Sequence, residues 1–199
     1  MLSELNKRMT TPNSLFSLLE QVNHLKLLPR TGWLLAGVNP VESVAEHSFA
    51  VALLALQLAE TINQDWVNQG LTDPLLLERV IGTALVHDLA ESILTDLPKR
   101  SADLLGRTVK HNAEAKALTH LLSGLPNAEQ YQQLWADYAA GSSPEARVVR
   151  DADKLEMVHQ ALCYARRGQS NLDEFWSNHT WYYPASADLF AYLVAVRNS

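Results

Sequence analysis

The chain has 199 residues, 47% hydrophobic and 19% charged, with 16 Lys and Arg against 22 Asp and Glu and a formal net charge of -6. That length and apolar content suit one compact domain with a core and a cleft, and they exclude an intrinsically disordered chain. The acidic balance argues against sequence-independent binding of duplex nucleic acid, which needs clustered Lys and Arg; a small phosphorylated substrate needs only a local cation or two.

From the start of the chain, Met1 to Ser14 is polar and mixed in charge, without the apolar segment of a signal peptide. Leu15, Leu18, Leu19, Val22 and Leu25 then recur at helical spacing, with Asn13 or Ser14 as candidate N-caps. Residues 41–62 are apolar almost all round, which predicts a buried central helix, and Ser43 with Glu46 supplies a capping box for it. Its run Phe49–Leu56 is the longest uninterrupted apolar stretch, far short of the ~20 residues of a membrane span.

Residues 74–94 predict another helix, with Pro74 in its first turn and Pro98 beyond its end. Further helices are expected over 101–123, 127–140, 144–168 and 184–197, with Gly124, Gly141 and Gly168 as stops. Strand signals are scarce, so the expected fold class is all-α. A lone cysteine, Cys163, allows no internal disulfide, and the expected compartment is the cytoplasm, where the sequon-like Asn178-His179-Thr180 has no meaning.

Three of these helices carry ionisable residues inside apolar stretches. His47 shares a helix face with Val44 and Val51, which alone suits a core histidine bonded to a carbonyl. His87 and Asp88 are adjacent, Glu91 borders both on a helix surface, and Asp96 follows, so four ionisable side chains fall within ten residues. In the third segment Asp151 and Asp153 point about 200° apart on a helix, so they do not serve one site, and periodicity leaves open which of them faces it. Two imidazoles with two carboxylates form a mixed nitrogen and oxygen set suited to one divalent ion such as Mn, Co, Fe, Ni or Zn.

His47, the His87-Asp88 pair and Asp153 together resemble the H…HD…D signature of the HD-domain metal-dependent phosphohydrolases. The fuller resemblance is to their 5'-deoxynucleotidase branch, the YfbR-like proteins and their eukaryotic HD-domain-containing relatives. It rests on Leu28–Trp33, Glu42–Ser48, Ala84–Glu91, Leu94–Pro98 and Glu145–Asp153. It implies a compact HD-domain helical bundle over 1–199, with a motif-bearing core at 25–168, a C-terminal helical extension at 169–199 and the metal between central helices.

The resemblance further implies that His47, His87, Asp88 and Asp153 hold the metal, with Asp151 at a variable position. By the same resemblance, Glu91 lies beside the reacting water, Asp96 near the leaving group, and Arg30 and Trp33 at the phosphate and the sugar. The implied activity is hydrolysis of (deoxy)nucleoside 5'-monophosphates to nucleoside and phosphate, by a homodimer acting on a small nucleotide and on neither a polymer nor a membrane. Thr95 stands where relatives often have Gly, and Thr31-Gly32 separates Arg30 from Trp33 as in only part of the family.

Plainer roles stand beside these: core packing for Trp33, orientation of His87 for Glu91, and a turn residue for Asp96. His24, His111, His120, His159 and His179 lack an acidic setting and read as surface or structural. The rival functions are an HD hydrolase of triphosphates, cyclic nucleotides or alarmones, and a non-catalytic metal-stabilised helical binding module.

Overall fold

Two helices with matching apolar faces organise the molecule: α3 (Val44–Gln64) and α9 (Pro144–Arg166) pack on each other and on α4 (Leu77–Val86). The structure is a computed structural model describing residues 12–199; the polar opening of the chain, residues 1–11, lies outside it. Before α3 come α1 (Pro12–Leu25) and α2 (Thr31–Leu35); after α4 come α5 (Glu91–Leu94), α6 (Lys99–Leu105), α7 (Arg107–Leu121) and α8 (Ala128–Ala140). A 3-10 turn at Asp173–Trp176 and α10 (Pro184–Arg197) follow α9. Among the described residues an isolated antiparallel bridge between Pro29 and Ser43 is the only β pairing, so the fold is all-α. No helix among them is long and apolar enough to cross a membrane.

The expected capping box forms in full: the Glu46 N–H donates to Ser43 Oγ, and Glu46 Oε2 accepts from the Ser43 N–H at 2.6 Å. The start of α9 is fixed likewise by Ser143, whose Oγ accepts from the Ala146 N–H, with Pro144 in the first turn. Val51, Ala55, Leu58 and Ile62 of α3 interlock with Val148, Ala152, Leu155 and Val158 of α9 and with Val80 and Ala84 of α4. Each fully buried Val, Leu or Ile side chain there contributes about 1.5–3 kcal/mol.

The structure corrects several expectations. The helix expected over 74–94 is interrupted: α4 ends at Val86, residues 87–90 form turns, and a short α5 begins at Glu91, so Pro74 precedes the helix. The Ala84 carbonyl, which a continuing helix would offer to the Asp88 N–H, instead lies 2.7 Å from His87 Nδ1, and i+3 bonds such as Glu91 N–H to Asp88 O take over. The helix expected over 101–123 divides at Gly106, whose φ of +85° ends α6. Asn13 and Ser14 lie inside α1 rather than capping it, and α2 is an element that periodicity does not announce. The surround of α3 is also less complete than its composition suggests, because Phe49 is 73% exposed.

Asp151 is fully buried, and its Oδ2 accepts from the Tyr182 N–H at 2.9 Å while Oδ1 lies 3.1 Å from Lys154 Nζ. It therefore fastens the segment entering α10 onto α9. Asp151 Oδ2 also accepts from the buried Tyr183 N–H at 3.3 Å, so Asp151→Ala is expected to strand that group and cost about 2–3 kcal/mol, lowering Tm by about 2–4 °C per kcal/mol at this chain length. Metal affinity should not change; thermal unfolding and a metal titration on the same variant check both parts.

Candidate metal centre and its cavity

His47 leaves α3 one turn after the capping box, His87 and Asp88 sit at the break after α4, and Asp153 projects from α9. The core that joins those three helices brings the residues together. His47 Nε2, His87 Nε2 and an Asp153 oxygen lie within 4.8 Å of one another. Asp88 Oδ2 stands 3.2 Å from His87 Nε2 and 3.6 Å from His47 Nε2, so all four expected ligands converge. Asp153, not Asp151, faces this point.

Both imidazoles are held from behind. His47 Nδ1 lies 2.6 Å from Glu156 Oε2, and His87 Nδ1 donates to the Ala84 carbonyl at 2.7 Å. Each ring therefore turns its Nε2 inward, and both Nε2 atoms are buried without a hydrogen-bond partner. Two unpartnered imidazole nitrogens aimed at two carboxylates are the donor set a divalent transition metal takes, and the residues fit one.

The electrostatics agree. Burial opposes charge on His47, and so does Arg30, yet Asp153 and Glu156 outweigh both and raise its pKa to about 9. Burial likewise opposes charge on His87, and Asp88 and Asp153 raise it. Burial would raise Asp88, but His87, Arg30 and His47 bring it down to about 2; Asp153 is held low against the same burial by His47 and His87. These carboxylates demand positive charge between the two rings.

On the acid side, Glu91 is buried with Oε2 unpartnered, and burial followed by repulsion from Asp88 and Asp96 raises its pKa well above the ordinary range. Arg30 donates to Asp88 Oδ2 at 3.3 Å; burial opposes its charge, but Asp88, Asp153, Asp96 and Glu91 more than restore it. Segment 28–30 is sewn to the start of α3 by Arg30 N–H to Glu42 O and Val44 N–H to Leu28 O, which places that guanidinium. Asp96 accepts the Thr31 N–H on Oδ2, and its carbonyl accepts the Thr31 hydroxyl at 2.9 Å, so it joins α2 to the loop after α5.

Trp33 borders the same cavity of about 890 Å³ but is 2% exposed and offers no open face. Phe175 lies at 4.0 Å and Tyr164 edge-on at 5.2 Å between ring centroids, and its indole N–H donates to Glu42 Oε1 at 2.7 Å. The plain expectation of core packing describes its setting. Of the other histidines, His24 bonds the Ser92 carbonyl and His179 the Phe175 carbonyl, while His111 stacks on Trp135 at the cavity wall.

Three residues belong to the site without having been singled out in sequence. Glu156 grips His47; its spacing of three from Asp153, which puts both on one side of α9, was the available signal. Tyr138 donates its hydroxyl to Asp153 Oδ2 at 2.7 Å and meets His87 edge-on, a long-range pairing with no local signature. Glu42 lies behind His47, and burial followed by repulsion from Glu156 raises its pKa to about 7.

The HD domain family profile matches residues 22–185. The 5'-deoxynucleotidase hdd1 of Schizosaccharomyces pombe is 32% identical over 84% of this chain and 80% of its own length. The 5'-deoxynucleotidase HDDC2 of Danio rerio is 35% identical over 76% of this chain and 70% of its own. Among solved structures, a conserved hypothetical protein from Pyrococcus furiosus superposes with a TM-score of 0.75 at 35% identity, covering 92% of this chain and 99% of that one. A Pyrococcus horikoshii protein does so with a TM-score of 0.70, also at 35% identity, covering 92% and 96%.

Two predictions come from this geometry. Glu156→Ala should weaken metal affinity roughly 10–100-fold, and Glu156→Gln, whose amide oxygen can still accept from His47, should recover part of it in an equilibrium titration. Thr95, at φ +67° and ψ +167°, occupies a region that is essentially reserved for glycine. Thr95→Gly should relieve about 1–3 kcal/mol of strain, less about 0.5–1 kcal/mol for the freer unfolded chain. Tm should then rise, whereas Thr95→Ala, which keeps the Cβ, should not show that gain.

Proposed function

The chain belongs to the HD-domain family, and on that premise we propose that it is a metal-dependent phosphomonoesterase hydrolysing (deoxy)nucleoside 5'-monophosphates to nucleoside and phosphate. The observation that carries this reading is the pair of buried, unpartnered Nε2 atoms of His47 and His87 facing Asp88 and Asp153 at the wall of a nucleotide-sized cavity. The curated relatives named 5'-deoxynucleotidase support the substrate class.

His47, His87, Asp88 and Asp153 would hold a divalent cation, which when bound would supply Lewis-acid polarisation of a phosphoryl oxygen and acidify water. Glu91 orients the attacking water and takes its proton, a role suited to a buried carboxylate with an open oxygen and a raised pKa. As the new P–O bond forms and the P–O5' bond breaks, Asp96 assists protonation of the departing 5'-oxygen. Arg30 grips the phosphate through its planar fork. Trp33 acts through its packing, holding the α2 wall against Phe175 so that the sugar meets a fixed surface.

The finer terms of this reading are an ion among Mn, Co, Fe, Ni and Zn, a cytoplasmic setting, and a homodimer. The exposed stripe of Phe49 and Leu53, one turn apart on α3, supports the dimer.

A panel of nucleotides assayed for free phosphate with added Mn or Co tests the function. Release from monophosphates alone is the expected outcome; pyrophosphate or triphosphate release, or no turnover, overturns it. Asp88→Ala should lose bound metal and phosphate release together. Glu91→Ala should keep the metal and lose ~10²–10⁴ in turnover, and a near-normal rate would remove Glu91 from the chemistry.

A further inference from the structure

We propose that Lys110 is a second phosphate-binding cation of this cavity, tethered to Glu114 until the anion arrives; the proposal rests on the monophosphatase reading above. Lys110 stands in the first turns of α7 and, like Arg30 at the start of α2, lines the cavity. Its ammonium lies 2.8 Å from Glu114 Oε1, one helical turn on, and Glu114 also lines the cavity.

Three other cations at the wall are engaged elsewhere. Arg30 is paired with Asp88 at 3.3 Å, and Arg150 donates to the Tyr138 and Ala139 carbonyls. Lys154 is held by Asp151 and the Thr180 carbonyl and lies 4.6 Å above the Trp181 ring. Lys99 and Arg107 are exposed at the mouth and add positive potential along the approach. Lys110, with 31% of its side chain exposed, is half-buried in the cavity wall yet bound by one weak tether. A Lys that precedes Glu by four positions is the less favourable order of such a pair on a helix, so exchanging Glu114 for a phosphate oxygen costs little.

The surrounding field favours that exchange. Burial lowers the Lys110 pKa, but Glu114, Glu91 and Asp88 more than reverse the effect, so the side chain stays charged beside Glu91 and Asp88. A phosphate dianion entering among Asp88, Glu91, Asp96 and Asp153 meets four carboxylates, and the Arg30 guanidinium is already paired with one of them. Lys110 supplies further positive charge from the cavity wall.

The test is binding of inorganic phosphate to the manganese-loaded protein by isothermal titration calorimetry. Lys110→Gln should weaken phosphate affinity tenfold or more with metal content unchanged, and Glu114→Gln, which frees the ammonium, should tighten it severalfold. A purely structural ion pair would instead make both variants less heat-stable and leave phosphate affinity as it was. Unchanged affinity in Lys110→Gln overturns the proposal, as does a wild-type protein that binds no phosphate. If phosphate binds with the expected ranking while the nucleotide panel shows no monophosphate turnover, the anion site stands and the monophosphatase reading falls.

Discussion

The arrangement depends on one electrostatic constraint: two buried imidazoles and two partly buried carboxylates share one pocket, and their charges must balance there. Left to protons alone, Asp88 and Asp153 hold His47 and His87 in their charged forms despite the burial that opposes it. A divalent cation would deliver the same two positive charges to this set, and His47, His87, Asp88 and Asp153 are the residues that would hold it. The rest of the local structure serves that exchange. Glu156 and the Ala84 carbonyl occupy the outer ring nitrogens, which prevents either imidazole from turning away, and Tyr138 fixes one oxygen of Asp153.

Helix α9 shows how helical geometry distributes such duties. Asp151, Asp153 and Glu156 fall within six residues, and the 100° step of the helix sends Asp151 one way and brings the other two to opposite nitrogens of His47. Asp151 turns toward the backbone entering α10, Asp153 toward the cavity, and Glu156 toward the back of His47. Their chemistry is alike and their functions are separated by angle alone. The break after α4 works by the same economy: the imidazole that takes the Ala84 carbonyl both ends the helix and is oriented by ending it.

How far this was legible in the sequence follows from the range of each interaction. The capping box at Ser43 and Glu46, the start of α10 at Pro184 and the acidic setting around His87 are local patterns, and they appear where the spacing put them. The choice between Asp151 and Asp153 was open to periodicity, because both faces of α9 are buried, and family resemblance had to decide it. The split at Gly106 and the short α2 escaped detection because each depends on one backbone angle or a single turn. Tyr138 escaped for another reason: its partner lies on a different helix, and nothing near it in the chain marks the meeting.

The two halves of the cavity are held in different ways. His47, Asp153 and Glu156 stand on long helices whose neighbours form the central core, so the metal side is as rigid as the fold itself. The substrate side is assembled from α2, which the buried Trp33 anchors, and from α5 and α6, short elements of which α6 buries no residue at all. They are joined by individual bonds: Thr31 to Asp96, His24 to Ser92, and the Thr95 N–H to the Glu91 carbonyl. Elements with so few buried contacts open locally at much lower free energy than a core helix does. The strained backbone at Thr95 lies in this half, between Glu91 and Asp96, where a change of one angle moves both acids. The division suits the proposed chemistry: a cation must stay while nucleotides come and go, so rigidity is concentrated behind the histidines and compliance around the acids.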